Sequence, residues 1–147
     1  MPSYKNQPFD VKSYFKTNER ILSTFTSPIE LNKLDVLYDW LVVRWRLNVD
    51  FGQNKIIVAD LFRTDGIGVQ HQFAYSYVTP EHDCIFRFDT HGAPIQYGES
   101  CHLHIGDKRV IEDENPELNG YSLCGMDFPS FNWLVHRHRK GRTLPWK

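Results

Sequence analysis

Long apolar runs are missing from this chain. Leu41-Val42-Val43 is typical of its apolar stretches, and a bilayer crossing needs about 20 apolar residues in a row. A membrane-spanning helix is therefore excluded. The opening residues, Met1-Pro2-Ser3-Tyr4-Lys5-Asn6-Gln7, are polar and no apolar segment follows them. A secretory leader is not expected, and the protein is expected to stay in the cytoplasm. Cysteine is scarce as well. Cys84, Cys101 and Cys124 make an odd count of three without paired spacing, so a disulfide framework is not expected. The chain lacks a phosphate-cradling Gly-rich loop, a G-x-S-x-G elbow, H-E-x-x-H and C-x-x-C. It also lacks internal repeats, low-complexity tracts and any interdomain linker.

What is present describes an ordinary folded domain. The 147 residues suit one core, and 41% hydrophobic with 24% charged residues lies within the globular range. Aromatics reach 14%, with ten Phe, seven Tyr and four Trp, which favours pleated surfaces and a sheet-rich fold. The net charge of −1 hides an uneven distribution. Acids dominate from Asp107 to Glu117, whereas Arg137, Arg139, Lys140, Arg142 and Lys147 make the end of the chain basic. Such an end can touch nucleic acid or simply be solvated.

Residues 1–9 read as a flexible arm. Asp10 can cap a helix from Val11 to Thr24, whose apolar residues recur at helical spacing and which Ser27-Pro28 ends. From Leu41 the period becomes two. Strands are predicted over 41–49, 55–62, 69–78 and 84–89, with shorter ones over 101–105 and 108–111. Their connections are too short for parallel crossovers, so neighbouring strands must run antiparallel. Asp127-Phe128-Pro129-Ser130 starts a second helix that runs to about Arg139 and stops at Gly141. The expected fold is α+β, a strongly curved antiparallel meander of five or six strands flanked by an N-terminal and a C-terminal helix in one domain.

Four features in this order carry a family likeness: Ser27-Pro28 after the first helix, Phe73-Ala74-Tyr75-Ser76-Tyr77, Arg87-Phe88-Asp89, and Cys101-His102-Leu103-His104-Ile105-Gly106-Asp107. With them, residues 10–112 resemble the TumE-like toxins of bacterial toxin–antitoxin pairs. The chain carries Ser76 and Cys101 where that family has histidines, and its extension over 113–147 is unlike the family. The resemblance implies a toxin acting on RNA and neutralised by a helix-turn-helix, DNA-binding antitoxin. Self-association into a homo-oligomer is left open.

The richest set of reactive side chains is Arg87, Asp89, His91, His102 and His104. Arg87 and Asp89 share one face of a strand, and His102 and His104 have the same relation on the next. If the two segments are neighbours, their side chains suit metal-free RNA cleavage with no cofactor. One imidazole takes the 2′-hydroxyl proton and another protonates the leaving oxygen, Arg87 steadies the phosphate, and Asp89 orients a histidine. Tyr75 or Tyr77 would stack a base, and Arg137, Arg139 and Lys140 would hold RNA. The same atoms permit zinc binding by Cys101, His102, His104 and His91, although adjacent strand residues point to opposite faces.

The alternatives are structural. Arg87 and Asp89 can pair on a wet strand face, Arg44 and Arg46 can be its solvated cations, and the tyrosines can be core. A basic helix end can complement the helix dipole. The corresponding functional alternative is a non-enzymatic RNA- or protein-binding module, or a phage-defence accessory protein that keeps the toxin fold without its chemistry.

Overall fold

The computed structural model describes residues 16, 19–22, 30–37, 40–49, 54–64, 69–90, 101–112 and 115–146. The alternating segments form a sheet of seven strands in sequence order. These are β1 (Glu30–Leu37), β2 (Trp40–Val49), β3 (Asn54–Thr64), β4 (Val69–Val78), β5 (Cys84–Asp89), β6 (His102–Ile105) and β7 (Arg109–Glu112). Every neighbouring pair is antiparallel. The expected meander is thus present, with one strand more than the upper expectation.

That extra strand is β1, and its sequence explains why alternation does not reveal it. The pairing of β1 with β2 shifts register between Leu31 and Lys33. An irregularity of this kind breaks the two-residue period that would otherwise mark a strand. Glu30 then anchors the edge through its carboxylate, 2.7 Å from the Arg46 guanidinium. Of the helix expected over 11–24, one turn at Glu19–Leu22 is described. Apart from Lys16, the remainder, like the arm over 1–9, lies outside the described residues.

One face of the sheet holds the core. Val43, Trp45 and Leu47 of β2, Ile56 and Val58 of β3, Tyr75 and Tyr77 of β4, Phe86 and Phe88 of β5 and Leu103 of β6 are all buried there. Helix α1 (Phe128–Arg139) covers this face. Asp127 caps its start by accepting from Ser130 N–H at 2.9 Å, with Pro129 in the first turn. At the other end Gly141 adopts φ 65°, a left-handed conformation that costs glycine little. This lets Gly141 and Arg142 donate back to the carbonyls of His138 and Arg137.

Phe131 of α1 sits at the centre of an aromatic cluster, with ring centroids 5.6 Å from Tyr75 and 5.7 Å from Phe86. Trp146 folds back to stand 5.3 Å from Phe86. The C-terminal extension is therefore the second layer of the core. Among the described residues no helix is long and apolar enough to cross a membrane.

The cysteines depart from expectation. Cys101 and Cys124 form a disulfide. Cys101 is buried in the core at the start of β6, and the chain after the turn at Pro116–Leu118 returns to it before α1 begins. Spacing along the sequence could not disclose this pair, because the two half-cystines lie 23 positions apart and the fold alone brings them to a Cα distance of 5.3 Å. Cys84 remains a free thiol.

Candidate functional site

Strand register assembles the reactive side chains on the face opposite α1. In β5 and β6, Arg87 is paired with His104 and Asp89 with His102. Since Phe86, Phe88 and Leu103 point into the core, the residues alternating with them must all point the other way. Four of the five expected catalytic residues therefore share one patch. His91, the fifth, lies outside the described residues.

Asp89 is the centre of the patch and is 3% exposed. Arg87 Nη2 stands 2.8 Å from its Oδ2, and His104 Nε2 stands 3.1 Å from the same oxygen. His102 Nδ1 is 3.8 Å from Oδ1, while its Nε2 is 3.7 Å from Glu112 Oε1. Close as these contacts are, neither carboxylate oxygen receives an aligned hydrogen bond among the described residues. A buried carboxylate normally holds several. Asp89 is thus held by the charge of Arg87 and the proximity of the two imidazoles without having its lone pairs filled.

Beside this cluster the far face is hollow. A depression of about 470 Å³ is lined by Arg44, Ala59, Leu61, Gln72, Phe73, Ala74, Arg87, Asp89 and Thr90. Its floor follows from register: Arg44 pairs with Ala59, Ala59 with Ala74, and Ala74 with Asp89. Two small residues side by side leave space between Arg44 and Asp89, about 14 Å apart by strand spacing. Thr90 closes the end of β5. Its hydroxyl accepts from Phe73 N–H at 3.2 Å, and its own N–H donates to Phe73 C=O at 3.1 Å. Arg44, Gln72 and Thr90 were not among the expected site residues. A signal for them existed in the alanines of β3 and β4, which fall on the same phase as Arg44 and Asp89, but it needs the register to be read.

Other expected site residues lie elsewhere. Tyr75 and Tyr77 are each 1% exposed on the α1 side, so neither presents a ring face for stacking a base. The Tyr75 hydroxyl donates to Asp60 Oδ1, and Tyr77 accepts from the Asn54 amide at 2.9 Å. Arg137 is held structurally: Nε donates to Thr143 C=O at 2.8 Å, and its guanidinium lies 4.9 Å from the Trp133 ring centre. Arg139 and Lys140 line a separate hollow at the end of α1. The zinc arrangement fails at Cys101, whose sulfur is bonded to Cys124 and is no longer a thiolate ligand.

A second buried carboxylate, Asp60, faces the core and is 1% exposed. His71 Nε2 lies 2.6 Å from Asp60 Oδ1, and the His71 ring stacks on Phe62 at 4.6 Å. A carboxylate in the apolar phase of β3, between Val58 and Phe62, is the sequence sign that a buried partner is required. No family model, curated protein or solved structure matches the chain.

Proposed function

We propose that the chain is the toxin of a toxin–antitoxin pair and cleaves RNA without a metal at the Asp89 patch. The observation that carries this reading is the convergence of Arg87, His102 and His104 on buried Asp89, beside a hollow that Arg44 flanks on its other side. Two guanidiniums bracket a space fit for a phosphodiester, since forked donors match phosphate oxygens. His104, positioned by Asp89, takes the proton from a 2′-hydroxyl. The 2′-oxygen then bonds to phosphorus, the P–O5′ bond breaks, and His102 gives its proton to the departing O5′. The products are a 2′,3′-cyclic phosphate and a free 5′-hydroxyl. Imidazole suits both tasks because it changes charge near neutral pH. The proposed setting is the cytoplasm, with a helix-turn-helix antitoxin as partner.

The test uses the full chain, a single-stranded oligoribonucleotide and excess EDTA. Cleavage leaving a cyclic phosphate is expected, with a loss of about 10²-fold or more for His102→Ala and His104→Ala. An oligonucleotide with one 2′-deoxy residue should resist cutting at that residue. Persistence of full activity in both histidine variants would sink the proposal.

One observation favours a second reading, a non-enzymatic binding module. Arg87 already lies 2.8 Å from Asp89, so the site's nearest cation is internally neutralised. On that reading RNA or a protein partner binds the far face, the histidine variants bind as the parent does, and no cleavage occurs.

A further inference from the structure

Strand β6 is short, and its two ends are held differently. At one end Gly106 begins the turn into β7, and its N–H donates to Ile85 C=O at 3.1 Å. His102 lies at the other end. Its pairs with Asp89 of β5 and Glu112 of β7 are the last in both ladders. Terminal pairs open first, because no further pair beyond them holds the strand closed. His102 nevertheless has to keep its place between two acids, with Nδ1 3.8 Å from Asp89 Oδ1 and Nε2 3.7 Å from Glu112 Oε1. The adjoining residue is Cys101, which carries the bond to Cys124.

The far side of that bond is anchored. Leu123 and Met126, on either side of Cys124, are buried in the core, and Asp127 caps the start of α1. The disulfide therefore fixes the terminal pair of β6 to the second layer of the core. Asp89 is held independently. Thr90, the next residue, accepts from Phe73 N–H at 3.2 Å and donates to Phe73 C=O at 3.1 Å. Opening the disulfide thus loosens the strand end that carries His102 and leaves the carboxylate in place. The two half-cystines also differ in access: Cys101 is buried and Cys124 is exposed, so a thiolate from solvent meets Cys124 first.

We propose that the Cys101–Cys124 disulfide is a redox-operated clamp on His102, closed when oxidised and opened by a cellular dithiol. A thiolate of the dithiol attacks Cys124 Sγ, the protein S–S bond breaks, and Cys101 leaves as a thiolate that takes up a proton. The second thiolate of the dithiol then attacks its own sulfur in the mixed disulfide and releases Cys124, which is protonated in turn. The dithiol becomes a disulfide, and the protein gains two electrons and two protons. His102 is thereby positioned only in the oxidised form. The consequence for RNA cleavage rests on the function proposed above, whereas the loosening of β6 does not.

The test uses the full chain carrying Cys84→Ser, oxidised or reduced by dithiothreitol, at a temperature where both forms are folded. Amide hydrogen exchange over residues 102–104 and 110–112 should quicken about tenfold or more on reduction, while residues 56–62 of β3 stay within about twofold. The ring signals of His102 should move in the NMR spectrum, and those of His104, one step further inside the ladder, should move less. For cleavage of an oligoribonucleotide, kcat should fall about tenfold on reduction with KM nearly unchanged, and glutathione disulfide should restore it. Cys101→Ser/Cys124→Ser in the same background should behave as the reduced form and ignore dithiothreitol. Unchanged exchange at residues 102–104 would overturn the clamp, as would an equal rise over β3, which would mark general loosening. Cleavage in neither form would overturn the proposed ribonuclease, with exchange and the His102 signals still deciding the clamp.

Discussion

Asp60 and Asp89 are both buried aspartates, yet their surroundings assign them different work. Asp60 faces the core and accepts aligned hydrogen bonds from Tyr75 and His71, an arrangement that satisfies the carboxylate and holds β3 to β4. Removing it takes a charged acceptor from buried Tyr75 and half-buried His71. Asp60→Ala is expected to lower the unfolding free energy by about 3 kcal/mol, read from the urea midpoint at unchanged slope. Asp89 has the Arg87 guanidinium and the His104 ring close to Oδ2 but no aligned donor among the described residues. Asp89→Asn keeps the shape and loses the charge that positions His104, so it should cost about 1 kcal/mol of stability at most while cleavage of an oligoribonucleotide falls about 10²-fold. A variant that unfolds as readily as Asp60→Ala would make Asp89 structural. Cys84 completes the residue scale. Burial, reinforced by Asp107, pushes its thiol above the ordinary value, so it should react with iodoacetamide at pH 8 more slowly than free cysteine does.

At the scale of elements, the strands and α1 were legible because their signals are local. The alternation in Leu41, Val43, Trp45, Leu47 and Val49 marks β2 wherever the strand ends up. The Asp127-Phe128-Pro129 start and the Gly141 stop mark α1 in the same way. β1 was not legible, since its register shift scrambles the period. Two predictions belong here. The disulfide between Cys101 and Cys124 ties β6 to the segment that leads into α1. Replacing both cysteines by alanine should destabilise the oxidised protein by about 3 kcal/mol, the loop-closure value for a separation of this size, measured by denaturant unfolding. The second concerns the tyrosines that α1 and its leading segment bury. Burial raises the phenol of Tyr77 and that of Tyr121 above the ordinary 10.0. Because the unfolded chain ionises first, their contribution is fully present below pH 10.0 and is lost as pH climbs through the raised folded values. Tyr77→Phe should therefore flatten the alkaline fall in stability, followed by melting temperature between pH 9 and 11.

On the scale of the whole molecule, the sheet carries the acid-centred Asp89 patch on one face and α1 on the other. The disulfide bears on where such a molecule works. Cytoplasmic thiol pools keep most pairs reduced, so for the proposed cytoplasmic toxin, alkylation in freshly lysed cells should count all three cysteines. A count of one, Cys84 alone, would move the protein to an oxidising compartment and remove the cytoplasmic half of the proposal.

The sequence by itself determined what depends on near neighbours: which residues alternate, where α1 starts and stops, and that Arg87 and Asp89 share one face of their strand and His102 and His104 one face of theirs. Only the tertiary structure decided what depends on pairing at a distance. Register set His102 against Asp89 and put two alanines between Asp89 and Arg44, sending Tyr75 and Tyr77 into the core. The disulfide and the Asp60 network arose the same way. The physical reason is that periodicity is written into each strand, whereas register results from turns, bulges and the burial of every strand at once.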